Sequence, residues 1–182
     1  MSAKNWKTLE SKTVFSNDHW SYKLNKFLHE DGTEDEYHYV HTLGSTMVIP
    51  VNDDNRFLLV SQFRYLNQKE SIEFPCGGVE KGLSSEENAM KELREETGYA
   101  AKKLKFIGSF SPFTGACDEI CNVYLATGLY KSELPKDKSE EGMEVIEIDY
   151  AGLNKLISEN KIWDGLTLAA WTLAQKHLNK FK

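Results

Sequence analysis

Residues 73–99, EFPCGGVEKGLSSEENAMKELREETGY, concentrate the groups of this chain that could do chemistry. A turn carrying Gly77, Gly78 and Gly82 leads into a segment that bears Glu92, Glu95 and Glu96. On a helix each residue advances about 100°, so the three carboxylates fall within an arc of roughly 100°. Glu92 and Glu96 are then i,i+4 neighbours of like charge, which costs an isolated helix about 0.2–0.5 kcal/mol. A hard divalent cation, which prefers carboxylate and carbonyl oxygens, would offset that repulsion. The competing reading is a solvated charged face, with Lys91 available to Glu95 and Arg94 nearby.

The residues around the glutamates favour the metal. The glycines let the chain approach a ligand closely and turn carbonyls inward, and Pro75 fixes the strand exit ahead of Cys76. Such a site suits Mg²⁺, or Mn²⁺, retaining several waters. Its natural substrate is a phosphate or diphosphate whose oxygens complete the coordination, with the metal neutralising developing charge and activating an attacking water.

Positioning these groups requires a well-marked helix. Ser84 with Glu87 fits a capping box, Ala89, Met90, Leu93 and Thr97 form a packing face, and Gly98 stands where a left-handed C′ residue belongs. Upstream, residues 20–27 and 37–42 predict a hairpin or small antiparallel sheet in the first 45 residues. Residues 47–51 and 57–63 predict two buried strands joined by a turn at 53–55. Residues 67–71 read as a polar loop. Downstream, 103–110, 120–130 and 144–148 read as strands, with a loop at 111–119, a charged loop at 131–143, and amphipathic helices over 150–160 and 166–178. The mixed order predicts an α/β fold with a mixed sheet between helices.

Bulk properties bound the rest. With 182 residues, 40% hydrophobic and 27% charged, the chain is an ordinary globular domain, or one with a small accessory part. A net charge of −6 without a basic stripe argues against a general nucleic-acid binder. No apolar run approaches a membrane span, and the first residues lack a secretory apolar region, so no membrane partner is expected. Cys76, Cys117 and Cys121 have no zinc-site spacing and read as reduced thiols of a cytoplasmic protein.

The stretch resembles the signature of the Nudix hydrolases, G-x5-E-x7-R-E-U-x-E-E-x-G-U with U apolar. Gly77, Glu92, Leu93, Glu95, Glu96, Gly98 and Tyr99 match in register. Two positions depart: Leu83 replaces the first glutamate and Lys91 the arginine. VSQFRY, EFPCGG, SPFTGACDE and EEGMEVIEI resemble the branch that cleaves ADP-ribose and nucleoside diphosphate sugars.

That resemblance implies a Nudix-like α/β/α sandwich over residues 46–182 and an N-terminal antiparallel β extension over 1–45, serving dimerisation and base binding. It implies Glu92 and Glu96 as metal ligands, Glu95 as ligand or catalytic water-positioner, and the Cys76 backbone carbonyl as a further ligand. Gly77 would lie at the substrate, Arg64 would grip the diphosphate through its planar fork, and Trp20 and Tyr37 would sandwich the base, often one from each subunit. Glu141, with Glu140 as alternate, matches the mobile catalytic glutamate. The implied activity is Mg²⁺-dependent hydrolysis of ADP-ribose or an ADP-, GDP- or UDP-hexose by a homodimer. Other nucleotides (a dinucleoside polyphosphate, NADH, a nucleoside triphosphate) and a non-catalytic nucleotide-sugar sensor are the alternatives. Leu83 and Lys91 together imply that one tether between turn and helix is missing as a pair, which leaves the turn less firmly tied; the rival is a degenerate box.

Overall fold

The computed structural model describes residues 5–135 and 142–178. Three strands, β1 (Lys7–Ser16), β2 (Ser21–Leu28) and β3 (Glu34–His41), form an antiparallel sheet in the order β1-β2-β3. The main sheet comprises β4 (Ser45–Val51), β5 (Phe57–Arg64), β6 (Lys69–Glu73), β7 (Cys76–Gly78), β8 (Tyr99–Phe110), β9 (Cys121–Lys131) and β10 (Glu144–Ile148). Its order is β10-β5-β4-β9-β8, with β6 paired to β5 and β7 to β4. The β4–β9 pair is parallel and the other pairs are antiparallel, so the sheet is mixed as expected.

Every residue of β4 is buried, because both faces of this strand are covered. Met47, Ile49 and Val51 join a core with Phe57, Leu59, Val123 and Leu125, closed by Leu153 of α2 (Tyr150–Ser158) and by Ala170, Trp171 and Ala174 of α3 (Gly165–Ala174). Val48 turns the other way, to Ala101, Tyr124 and Ala126, against Ala89 and Leu93 of α1 (Ser85–Thr97). The period-2 alternation of a strand thus feeds two cores, and helices on both faces complete an α/β/α sandwich.

The main sequence expectations hold with local corrections. Residues 67–71, read as a loop, contain the start of β6, an antiparallel partner of β5 reached through the left-handed residue Gln68. Their polarity reflects partial exposure at the end of a hairpin: Lys69 and Glu70 are exposed while Ser71 is buried. The glycine-rich stretch is also a short strand rather than only a turn, with Met47 opposite Cys76. The helix expected to 160 ends at Ser158, just before Asn160 takes a left-handed backbone, and the last helix passes into a 3₁₀ turn at Gln175–His177. Among the described residues, no helix is long and apolar enough to cross a membrane.

Candidate active site

The helix that carries the glutamates begins on the expected cap. Ser84 Oγ accepts from the Glu87 N–H, and the Glu87 side chain accepts from the Ser84 N–H at 2.9 Å. The Ser84 hydroxyl, which donates to Glu87 Oε2 at 2.6 Å, and secondly the Ser84 N–H hold the Glu87 carboxyl below the usual carboxylate range. At the other end Gly98, with φ +73°, closes the helix through its N–H to the Arg94 carbonyl at 3.0 Å.

The glutamates do not form a solvated face. Glu92 is 6% exposed and Glu96 2%, and both lie on the side of α1 that packs on β4 and β7. Glu96 Oε1 accepts from the Cys76 N–H at 3.3 Å. A methyl group built on Gly77 would fall on the Glu92 carboxylate. Gly77 is therefore required by close approach and not by a positive φ. Two carboxylates are thereby drawn against the backbone of residues 76–77, although burying carboxylates together is costly without compensating charge.

This donor set fits a hard divalent cation: carboxylate oxygens beside a strand whose backbone carbonyls are at hand. Among the described residues, no three His, Cys, Asp or Glu side chains form a ready-made metal cage. The Cys76 thiol meets the Cys121 thiol. Its contact with Cys121 and its burial push its pKa well above the ordinary thiol range, so it stays neutral. All three cysteines are free thiols.

A pocket of about 600 Å³ opens over this floor. Cys76, Gly77, Glu92 and Glu95 line one side, and the β1–β2 turn with His19 and Trp20 lines the other. Trp20 is 40% exposed and lies 5.6 Å from the Phe15 ring. An adjoining cavity of about 370 Å³ continues past Trp20 and Leu43 to Glu119 and Leu166. The expected base platform and the glutamate cradle therefore share one space within a single chain.

Other expected residues lie elsewhere. Arg64 is outside the walls of both cavities. Its fork is held by Glu73: Nε donates to Oε1 at 2.8 Å and a terminal nitrogen to Oε2 in a short contact. Glu73 is 2% exposed and also accepts from Gln62 Nε2 at 3.4 Å. The Glu73 hydrogen bond raises the Arg64 pKa, outweighing the cost of burial. Tyr37 is 42% exposed, is likewise outside both cavities, and donates its hydroxyl to the Gly115 carbonyl at 3.0 Å. Glu141 and Glu140 fall outside the described residues.

Several pocket groups carry no mark in the linear sequence. His41 pairs through Nδ1 with Asp118 Oδ2 at 2.7 Å, and Asp118 Oδ1 also accepts from the Thr42 N–H at 3.3 Å. The partners are separated by 77 positions and meet because residues 116–118 run beside the end of β3. No local spacing signals such a pair.

The turn at Leu83 has ties of its own to the helix. Lys91 Nζ lies 3.2 Å from Glu80 Oε1 and in short contact with Glu95 Oε2. The Glu80 N–H donates to Asn88 Oδ1 at 3.0 Å, and Asn88 Nδ2 to Thr46 Oγ1 at 2.9 Å. Partial burial works against the Lys91 charge, but Glu95 and Glu80 overcome it and raise its pKa above the ordinary lysine value.

Comparison with known proteins agrees with this geometry. The family model for the NUDIX domain matches residues 41–169. The ADP-ribose pyrophosphatase of Bacillus subtilis (strain 168) is 35% identical over 170 residues, covering 90% of this chain and 92% of its own. The methanol dehydrogenase activator of Bacillus methanolicus is 30% identical over 90% of this chain and 89% of its own. A crystal structure of an ADP compounds hydrolase superposes with a TM-score of 0.84 at 19% identity, over 99% of this chain and 97% of that one. On the match of fold, motif and sequence, the chain belongs to the Nudix family.

Proposed function

We propose that this protein hydrolyses the diphosphate of a nucleoside diphosphate sugar, with Mg²⁺ as its metal and Mn²⁺ as a substitute. One P–O bond of the anhydride breaks as one forms to water, giving a nucleoside monophosphate and a sugar phosphate. The observation that carries this reading is the buried Glu92–Glu96 pair, packed against Gly77 and the Cys76 N–H, with Glu92 lining a pocket that Trp20 also lines. The 35% identity to a protein named ADP-ribose pyrophosphatase supports the substrate class.

Nudix hydrolases generally need a divalent metal. Glu92, Glu96 and the Cys76 carbonyl would hold it, with Glu95 as ligand or water-positioner. Once bound, the metal neutralises charge on the diphosphate and lowers the pKa of the attacking water. Gly77 leaves room for the Glu92 carboxylate beside the substrate, and Trp20 offers a ring to the base. Glu141, with Glu140 as the alternate, would complete the acid–base set. Arg64 would grip the diphosphate only by exchanging Glu73 for phosphate oxygens as the partner of its fork.

We further propose a homodimer joined through the extension over residues 1–45. In it, Tyr37 reaches the base bound to the partner subunit, and 46–182 forms the catalytic domain. All ten residues of β1 are exposed, Leu9, Val14 and Phe15 among them, which leaves an unpaired edge strand carrying apolar side chains. A cytoplasmic location accords with the three free thiols. The test of substrate class is a panel of ADP-ribose and ADP-, GDP- and UDP-hexoses with Mg²⁺, following nucleoside monophosphate by chromatography. Release of AMP and ribose 5-phosphate from ADP-ribose is expected. Turnover confined to nucleoside triphosphates or dinucleoside polyphosphates would contradict the reading.

A further inference from the structure

We propose that Glu80 is a positioning residue for Glu95, acting through Lys91, and that this ion-pair chain ties the turn to the helix where Leu83 cannot. The inference rests on the metal-dependent reading above. Lys91 bridges Glu80 Oε1, at 3.2 Å, and Glu95 Oε2. An ammonium can serve both carboxylates because its three donors form a compact point charge, where an arginine fork would impose one plane. Lys91 precedes Glu95 by four residues, the weaker orientation for a helical ion pair. The pair alone therefore constrains Glu95 poorly, and a second anchor on Lys91 is needed.

Glu80 is placed to be that anchor. Its N–H is held by the buried Asn88, which is itself tied to Thr46 of β4, and its carbonyl accepts from the Leu83 N–H at 3.2 Å. The backbone is thus fixed on both sides, and only the side chain must be ordered to reach Lys91. Leu83 offers no acceptor there, whereas a carboxylate three residues earlier reaches the ammonium. Glu80, Lys91, Glu92 and Glu95 all line the same pocket. The chain therefore links the turn to the glutamate face at the point where the metal is to be held.

The test uses Mn²⁺ affinity of the substrate-free protein, which does not depend on turnover. In a cycle of Glu80→Gln, Glu95→Gln and the double variant, Glu80→Gln should weaken Mn²⁺ binding several-fold when Glu95 is present. Its effect should shrink markedly in the Glu95→Gln background. Equal decreases in both backgrounds would show that Glu80 acts only as a distant charge, and no decrease in either would show no action; both overturn the proposal. Equal circular dichroism spectra confirm that the variants are folded. In active protein, Glu80→Gln should lower kcat about tenfold with little change in KM. If no variant or wild type hydrolyses substrate while the Mn²⁺ cycle behaves as described, the activity reading fails and the positioning role stands.

Discussion

A methyl group at residue 77 would occupy the space of the Glu92 carboxyl. Gly77→Ala should therefore displace that carboxylate, destabilise the fold by about 1–3 kcal/mol as overpacking does, and abolish saturable Mn²⁺ binding in calorimetry. Unchanged Mn²⁺ affinity would mean that Glu92 is not a ligand. Asp118 fixes the orientation of the His41 ring at the pocket wall. Asp118→Asn should raise KM about tenfold with kcat nearly unchanged, since the change loosens a wall and not the glutamate cradle; steady-state kinetics would show the reverse split if His41 took part in the chemistry. Glu92 and Glu96 are legible in the sequence because their spacing on a helix is a local property. The Arg64–Glu73 and His41–Asp118 contacts are not, because the folded sheet and loops create them. The Lys91–Glu95 contact is legible as an i,i+4 pair, whereas the reach of Lys91 across the turn to Glu80 is not.

At the scale of elements, α1 depends on its cap. Ser84→Ala removes the acceptor for Glu87 N–H and should cost about 1 kcal/mol, or roughly 2–4 °C in Tm for a chain of this size. The Glu87 carboxyl is held below its usual range in the folded state. Its stabilising contribution is thus present above the unfolded value and disappears as pH falls through the folded one. The Tm difference between wild type and Ser84→Ala should narrow as pH drops from about 6 to about 3, across the ordinary glutamate pKa near 4.3. A difference that widens on acidification would reverse the sign assigned to this cap. The capping box and Gly98 are readable because a helix end is specified by a few adjacent residues. The strand at 69–73 is not, since its polar residues share the composition of a loop and only pairing with β5 makes them a strand.

For the molecule as a whole, the pattern of buried strands and amphipathic helices foretells the sandwich, because both faces of β4 and β9 need cover. What no pattern could give is the seating of the β1–β2 turn, with Trp20, over the glutamates of α1. The unpaired edge strand β1 predicts a dimer by light scattering, and the double substitution Leu9→Lys with Phe15→Lys should shift it toward monomer; a monomeric wild type would contradict the assembly. The central claim is that buried Glu92 and Glu96 hold a metal that cleaves a diphosphate. Its most direct measurement is ADP-ribose hydrolysis with Mg²⁺ by wild type and by Glu96→Gln. Wild type should release AMP and ribose 5-phosphate, abolished on chelation, with kcat lower by a factor on the order of 10² or more in the variant. Equal turnover by the two proteins, or ligand binding by both without product, would contradict it.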